Sequence, residues 1–203
     1  MSAARLRAAV RAAAFGLLLA GVLPVAAQAV RDESYVAADG SRVLQQTIEV
    51  PAGRDEVWAA FTTSDGFSSW AAPVATVDLR LGGFIEASYD RASPIGAPSN
   101  IRNEIVAFAP PRMLAIRNRQ APPGAPFDVA AFQRLHTVIL LEPAGAGRTL
   151  VTIAMPEVGS GDAFDGVYRH FARGNGWTLQ QLHKRFTTGP VDWTTLRAPA
   201  ATK

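Results

Sequence analysis

The stretch DAFDGVYRHFARGNGWTLQQLHKRF, residues 162–186, advances its apolar residues in helical steps. Phe164, Tyr168, Phe171, Asn175, Thr178, Leu182 and Phe186 follow one another at intervals of three or four and share one face of a single long helix. That face is mostly aromatic or aliphatic, so it demands a broad apolar surface to cover it. Gly174 and Gly176 each cost about 1 kcal/mol relative to alanine inside a helix. They predict a kink or a close backbone approach at that point.

Upstream of the helix the pattern changes period. Residues 43–50 have strand composition and end at Pro51. Residues 54–62 read as a short helix, with Asp55 and Glu56 opposing the dipole of its first turn and Val57, Trp58 and Phe61 forming an apolar side. Ser64 is expected to cap a second short helical turn ending near Trp70. Strand patterns follow at 74–81, 84–90, 101–108, 113–119, 135–142 and 149–155. Gly82-Gly83, Pro94 to Pro98, Pro110-Pro111 and the hairpin-type Gly145-Ala146-Gly147 separate them. Residues 30–42 read as a polar lead-in, 43–188 as one domain and 189–203 as a tail. A run of strands bounded by helices predicts an α+β fold, a curved antiparallel sheet with the long C-terminal helix laid over one face. The cavity that such a grip encloses is the expected site.

Composition sets the outer limits. The chain has 203 residues, 48% hydrophobic and 18% charged, with no cysteine. It suffices for one domain with a real core, and it excludes a disordered chain, a disulfide scaffold and a thiolate metal centre. Arg5, Arg7 and Arg11 are the only charged residues among the first 29. Taking those three from the twenty Lys and Arg leaves seventeen basic residues against seventeen acidic ones. A neutral body argues against a nucleic-acid partner.

Residues 1–29 read as a secretory signal. The three arginines form its positive region, residues 12–26 are apolar, and Ala27-Gln28-Ala29 supplies the small-x-small pattern for cleavage between Ala29 and Val30. About 15 apolar residues fall short of the ~20 that span a bilayer, so no stable span is expected after removal. The expected location is periplasmic or secreted.

Several local strings resemble the START-like SRPBCC superfamily, and within it the AHSA-like group (activator of heat-shock-protein ATPase homologue-like). They are Val50-Pro51-Ala52 before Glu56-Val57-Trp58-Ala59-Ala60-Phe61, then Phe67-Ser68-Ser69-Trp70 with Pro73, and Val77-Asp78-Leu79-Arg80-Leu81-Gly82-Gly83. Residues 105–114 with their Pro-Pro-Arg turn, Arg148-Thr149-Leu150-Val151-Thr152, and Gly176-Trp177 with Leu182 complete the series. The likeness spans residues 43–187. It implies the helix-grip (START/Bet v-like) fold, whose members include lipid carriers, cyclases and sensors. Three departures stand out: the export signal, the long Pro-rich loop 118–134, and the shifted leucine spacing after Trp177. A cytosolic chaperone role does not carry over to an exported domain.

The chemistry-bearing residues are few. No phosphate-binding loop, zinc-protease motif or nucleophile elbow occurs. His170 and His183 stand 13 residues apart on one helix and point about 140° away from each other, so they form no metal clamp. No metal and no cofactor are expected. His136, in the strand 135–142, reads either as an outward histidine or as a polar group aimed into the cavity. Alternation turns Ile85, Ala87 and Tyr89 inward and Glu86 outward, and it leaves Glu104 undecided. Tyr89, His136, Tyr168, Phe171 and Asn175 are the candidate cavity residues, because a buried polar tip needs a partner that a ligand can supply. Phe127 and Phe132, in the loop 118–134, are candidate lid residues. The expected function is binding of an apolar or amphipathic small molecule. The alternatives are a cavity enzyme of cyclase or hydrolase type, and an envelope interaction or stress protein without ligand.

Overall fold

The computed structural model of the chain describes residues 29–195; residues 1–28, which hold most of the expected signal, lie outside them. Two very short strands, β1 (Arg31–Asp32) and β2 (Tyr35–Val36), precede β3 (Arg42–Val50). Helices α1 (Arg54–Thr62) and α2 (Ser64–Ser68) then carry the chain to β4 (Val74–Val77) and β5 (Phe84–Ser88). After β6 (Ile101–Ala109) and β7 (Met113–Gln120) comes the small helix α3 (Val129–Phe132). Strands β8 (His136–Pro143) and β9 (Thr149–Val158) lead into the long helix α4 (Asp162–Thr188).

The strands form one antiparallel sheet in the order β1-β3-β9-β8-β7-β6-β5-β4, with β2 also paired to β3. From β4 to β9 the sheet is a meander, and β3 closes onto β9. The two short helices therefore ferry the chain from one side of the sheet to its far edge. This is the helix-grip α+β architecture that the sequence predicts. The backbone of α4 runs closest to β3 and then β9. No described helix is long and apolar enough to cross a membrane.

Local chemistry explains the element ends. The Glu56 carboxylate accepts from the Gly53 N–H at 3.0 Å and closes the first turn of α1. Thr63, not Ser64, caps α2, its hydroxyl accepting from Gly66 N–H at 3.0 Å. Ser64 instead accepts from Val77 N–H at 3.0 Å and ties α2 to β4. Residues 78–82 form a turn, so β4 ends four residues earlier than its apolar pattern suggests.

The core has two parts. The larger joins Ile48, Phe61, Trp70, Ile105, Leu114 and Leu141 with Leu179 and Leu182 of α4. The smaller joins Leu44, Ala131, Leu135, Met155 and Val167, flanked by Phe127, Phe164, Tyr168 and Phe171. The fully buried positions of α4 are Val167, Leu179 and Leu182, while its aromatics are half-buried. The helix runs unbroken through Gly174 and Gly176. A Cβ on Gly176 would lie 3.7 Å from Gln46 Oε1, an ordinary contact, so the close approach there is real but mild.

Both ends of the described segment, residues 29–195, are tied to the domain. The lead-in docks as β1 and β2 on β3, and Val30 packs against the larger core. Past α4, Val191 N–H donates to Ser69 O at 2.8 Å and Trp193 Nε1 to Ser68 O at 2.6 Å, strapping the tail to α2.

Candidate functional site

Strand alternation sorts the sheet into two chemically different faces. Ile85, Ile105, Leu114, Ile116, Ile139, Leu141, Val151 and Ile153 belong to the larger core and face α4. The same parity places Asn103 on β6, Asn118 on β7 and Thr137 on β8 on that concave side. Asn103 stands directly opposite Asn118, and Thr137 opposite Ile116 one step along. Across the sheet, Gln46 of β3 adds a fourth polar position; its own register row runs through apolar Ile153, Ile139 and Leu114, so the four groups form a diagonal, interrupted belt across an otherwise apolar layer.

The belt is tied to the elements that cover it. Gln46 Nε2 donates to Ala172 O of α4 at 2.9 Å. Asn118 Nδ2 donates to Phe132 O of α3 at 3.3 Å. From the helix, Asn175 Nδ2 reaches Met155 Sδ at 3.7 Å. Three amide oxygens in or beside this layer are buried without a partner: Gln46 Oε1, Asn103 Oδ1 and Gln181 Oε1 of α4. A buried polar atom left without a hydrogen bond costs about 1–3 kcal/mol, so each of them marks a place where a partner would stabilise the protein.

The sequence candidates divide between the two faces. Tyr89 lies just past β5 and meets Trp177 of α4 edge to face, with ring centroids 6.4 Å apart. It remains 38% exposed, and burial of the rest of the ring raises the phenol pKa above its ordinary value. Phe171 stacks on Phe132 at 6.0 Å, and Phe132 stacks on Phe127 at 5.1 Å. Tyr168 lies beneath the Arg42 guanidinium at 5.0 Å, beside the Arg42–Asp165 ion pair of 2.7 Å. His136 faces the opposite way, because Leu135, Thr137 and Ile139 take the inward positions. There it borders a half-open groove of about 260 Å³ with Arg134, Pro156, Glu157, Gly159 and Phe164.

The acids lie on the outer face too. Glu104 pairs with Arg119 at 3.3 Å. Glu86 points outward as alternation requires, but it is only 4% exposed, because the segment between β5 and β6 folds over it. Its Oε1 accepts from Asn100 Nδ2 at 2.7 Å and from Gly96 N–H. Arg102 approaches its other oxygen at 3.4 Å, an ion pair without hydrogen-bond geometry. No cluster of three His, Asp or Glu suited to a metal ion occurs among the described residues.

The loop 118–134 is less free than a lid reading supposes. Asp128 caps α3, accepting from Ala131 N–H at 2.7 Å, and Ala131, Phe132 and Leu135 are core residues. Phe127 is the half-buried member and covers the His170 ring at 4.7 Å.

Asn103, Asn118, Thr137 and Gln46 are absent from the sequence candidates. Asparagine and glutamine in a strand pattern read as solvent-facing. The facing of β6, which the pattern around Glu104 leaves undecided, hides Asn103, while alternation with Leu44 and Ile48 on β3 and with Leu114 and Ile116 on β7 is the signal that places Gln46 and Asn118 inward.

Two histidines of α4 are expected to make the stability of the domain depend on pH. Desolvation, and secondly the Arg173 charge, push the His170 pKa down; burial and Arg148 do the same to His183. In the unfolded chain both take up protons near pH 6.5. Their contribution to stability is therefore complete above that pH and is lost as pH falls through 6.5 towards the lower folded values. Melting temperature is expected to drop between pH 7.5 and 5.5, and the pair of substitutions His170→Gln and His183→Gln to flatten that drop. An unchanged slope in the double variant would contradict the assignment.

No curated protein matches the sequence. Among solved structures the chain is similar to the Aha1 dimer from Colwellia psychrerythraea, with a TM-score of 0.56 at 15% identity, covering 72% of this chain and 97% of that one. Protein Ms6760 from Mycobacterium smegmatis gives 0.54 at 20% identity over 78% and 98%. CalU16 from Micromonospora echinospora gives 0.53 at 19% identity over 81% and 86%. At such identities the likeness speaks for the fold alone. The sequence model described as "Activator of Hsp90 ATPase homolog 1-like protein" matches residues 51–187, from the end of β3 through α4. By that match, over most of its length and on the fold just described, the chain belongs to the Activator of Hsp90 ATPase homolog 1-like protein family.

Proposed function

We propose that this domain is exported and binds an apolar or amphipathic small molecule between the concave sheet face and α4, without transforming it. The observation that carries the reading is the belt of Gln46, Asn103, Asn118 and Thr137 set in an apolar layer, with amide oxygens left unpartnered. An apolar surface carrying a few fixed polar groups is the ordinary chemistry of a ligand site. Among the described residues, the inward positions of β4 to β9 carry no carboxylate and no histidine to serve as acid or base. That favours binding over turnover.

Export rests on the composition of residues 1–29. Cleavage after the exposed Ala29 leaves Val30, which packs on the core, as the first residue of the mature chain. In the same reading α3 closes one end of the layer, and Phe127 is the part of the cover that moves.

Ala87 tests whether the layer holds space. It is buried on the inner side of β5, two residues after Ile85. Ala87→Leu is expected to weaken binding of a neutral solvatochromic dye such as Nile red by tenfold or more, with little change in the denaturant midpoint. In a solidly packed layer the larger side chain would instead cost about 1–3 kcal/mol by overpacking. A lowered midpoint with unchanged dye binding would refute the reading.

A further inference from the structure

The concave layer has a charge pattern that limits what it can hold. Glu86, Arg102, Glu104, Arg117, Arg119, His136 and Glu142 all take outward positions on their strands. Inward positions of β4 to β9 carry only apolar groups, amides and hydroxyls among the described residues. The helix side that meets the sheet, from Val167 through Asn175 and Leu179 to Leu182, is equally uncharged. Arg42 reaches the layer only at its end, where Asp165 already pairs with it.

The unpartnered amide atoms share one chemical sense: Gln46 Oε1 and Asn103 Oδ1 are acceptors, as is Gln181 Oε1 on the flank of α4. The other buried unpartnered atoms are Nε donors of Arg54, Arg102 and Arg117, and the last two sit at outward strand positions. For Gln46, which is 5% exposed, the orientation of the amide is fixed, since its nitrogen must be the atom that donates to Ala172 O. An acceptor without a donor is satisfied by a hydroxyl or an N–H, and a carboxylate brings only more acceptors. Asp32, opposite Gln46 on β1, is exposed at the edge and its carboxylate already accepts from Ser34; a charged headgroup deeper in the layer would give up its water without meeting an opposite charge.

We propose that the ligand is an electrically neutral apolar molecule bearing hydrogen-bond donors, a hydroxylated or amide-bearing compound, and that the layer rejects carboxylate and ammonium amphiphiles of the same shape. This inference rests on the binding reading above.

A matched probe series separates the two. The mature wild-type protein is titrated at pH 7.5 with 1-decanol, decyl methyl ether, decanoate and decylammonium, each competing with Nile red. Decanol is expected to bind at least tenfold more tightly than either ion and several-fold more tightly than the ether, which has no donor. Decanoate or decylammonium binding as well as decanol would overturn the neutral-ligand inference while leaving the binding reading standing. Failure of Nile red and of every probe to bind would overturn both. Asn103→Leu should narrow the gap between decanol and the ether, and Asn103→Asp should admit decylammonium. If both variants keep their melting transitions and the wild-type ranking, the belt is not the selecting element and the proposal fails.

Discussion

Trp70→Ala is expected to remove about 3–5 kcal/mol of stability, the range for truncating a buried large aromatic. Trp70 is 1% exposed at the end of α2, where it meets Phe61 edge to face at 5.0 Å and Phe67 at 5.7 Å. Its indole Nε1 donates to Ala60 O at 2.9 Å and thereby pins α1 to the segment after α2. Truncation opens a cavity among Phe61, Phe67 and the sheet, and it leaves a buried carbonyl without its donor. A domain of ordinary stability holds only about 5–15 kcal/mol in total, and a chain without cysteine has no disulfide to fall back on. Trp70→Phe keeps most of the volume and should cost clearly less. Denaturant midpoints of the two variants check this; equal, small shifts would show that the α1–α2 corner is not part of the core.

Glu86→Ala is the second large effect, expected at about 3 kcal/mol. The carboxylate holds the segment between β5 and β6 through Gly96 N–H and the fully buried Asn100 amide; its removal leaves Asn100 Nδ2 with Pro94 O as its one acceptor and hands the exposed Gly96 N–H to water. Breaking a fully buried ion pair costs about 3–5 kcal/mol, but Arg102 is 36% exposed, so its share is discounted for solvent screening. Glu86→Gln should be milder, since one oxygen survives to accept. The segment around residues 90–100 is expected to become the first site of limited proteolysis in the alanine variant, while β6 and β7 stay protected. A wild-type cleavage pattern with a shift under about 1 kcal/mol would mean that the buried carboxylate does not hold that segment.

The sequence carries the fold well where a period repeats. The aromatic and aliphatic steps along α4 place that helix to within two residues, and alternation along β5 orients Ile85 and Ala87 correctly. Two-residue strands have no period to read. β1 and β2 are exposed, and they stay in the sheet through backbone pairing with β3 and the Ser34–Asp32 turn. The belt escapes for a related reason. Asn103, Asn118 and Gln46 look like surface residues until distant partners enter: Asn118 meets Phe132, and Gln46 meets Ala172 across 126 positions of chain. Glu86 shows the converse, an acid whose outward direction is legible but whose burial depends on a separate segment folding over it. The cap at Asp128 was within reach, because an aspartate before Val129-Ala130-Ala131 is a helix-start signal.

Occupancy by a small molecule of the layer between the concave sheet and α4 is the central proposal for this domain. Native mass spectrometry of the mature protein, purified from its own cell envelope without detergent, tests it most directly. The account predicts a species heavier than the chain from Val30 onward by the mass of one small molecule, released on gentle activation and lost from the Ala87→Leu variant. A single mass equal to the bare polypeptide, in wild type and variant alike, would contradict it.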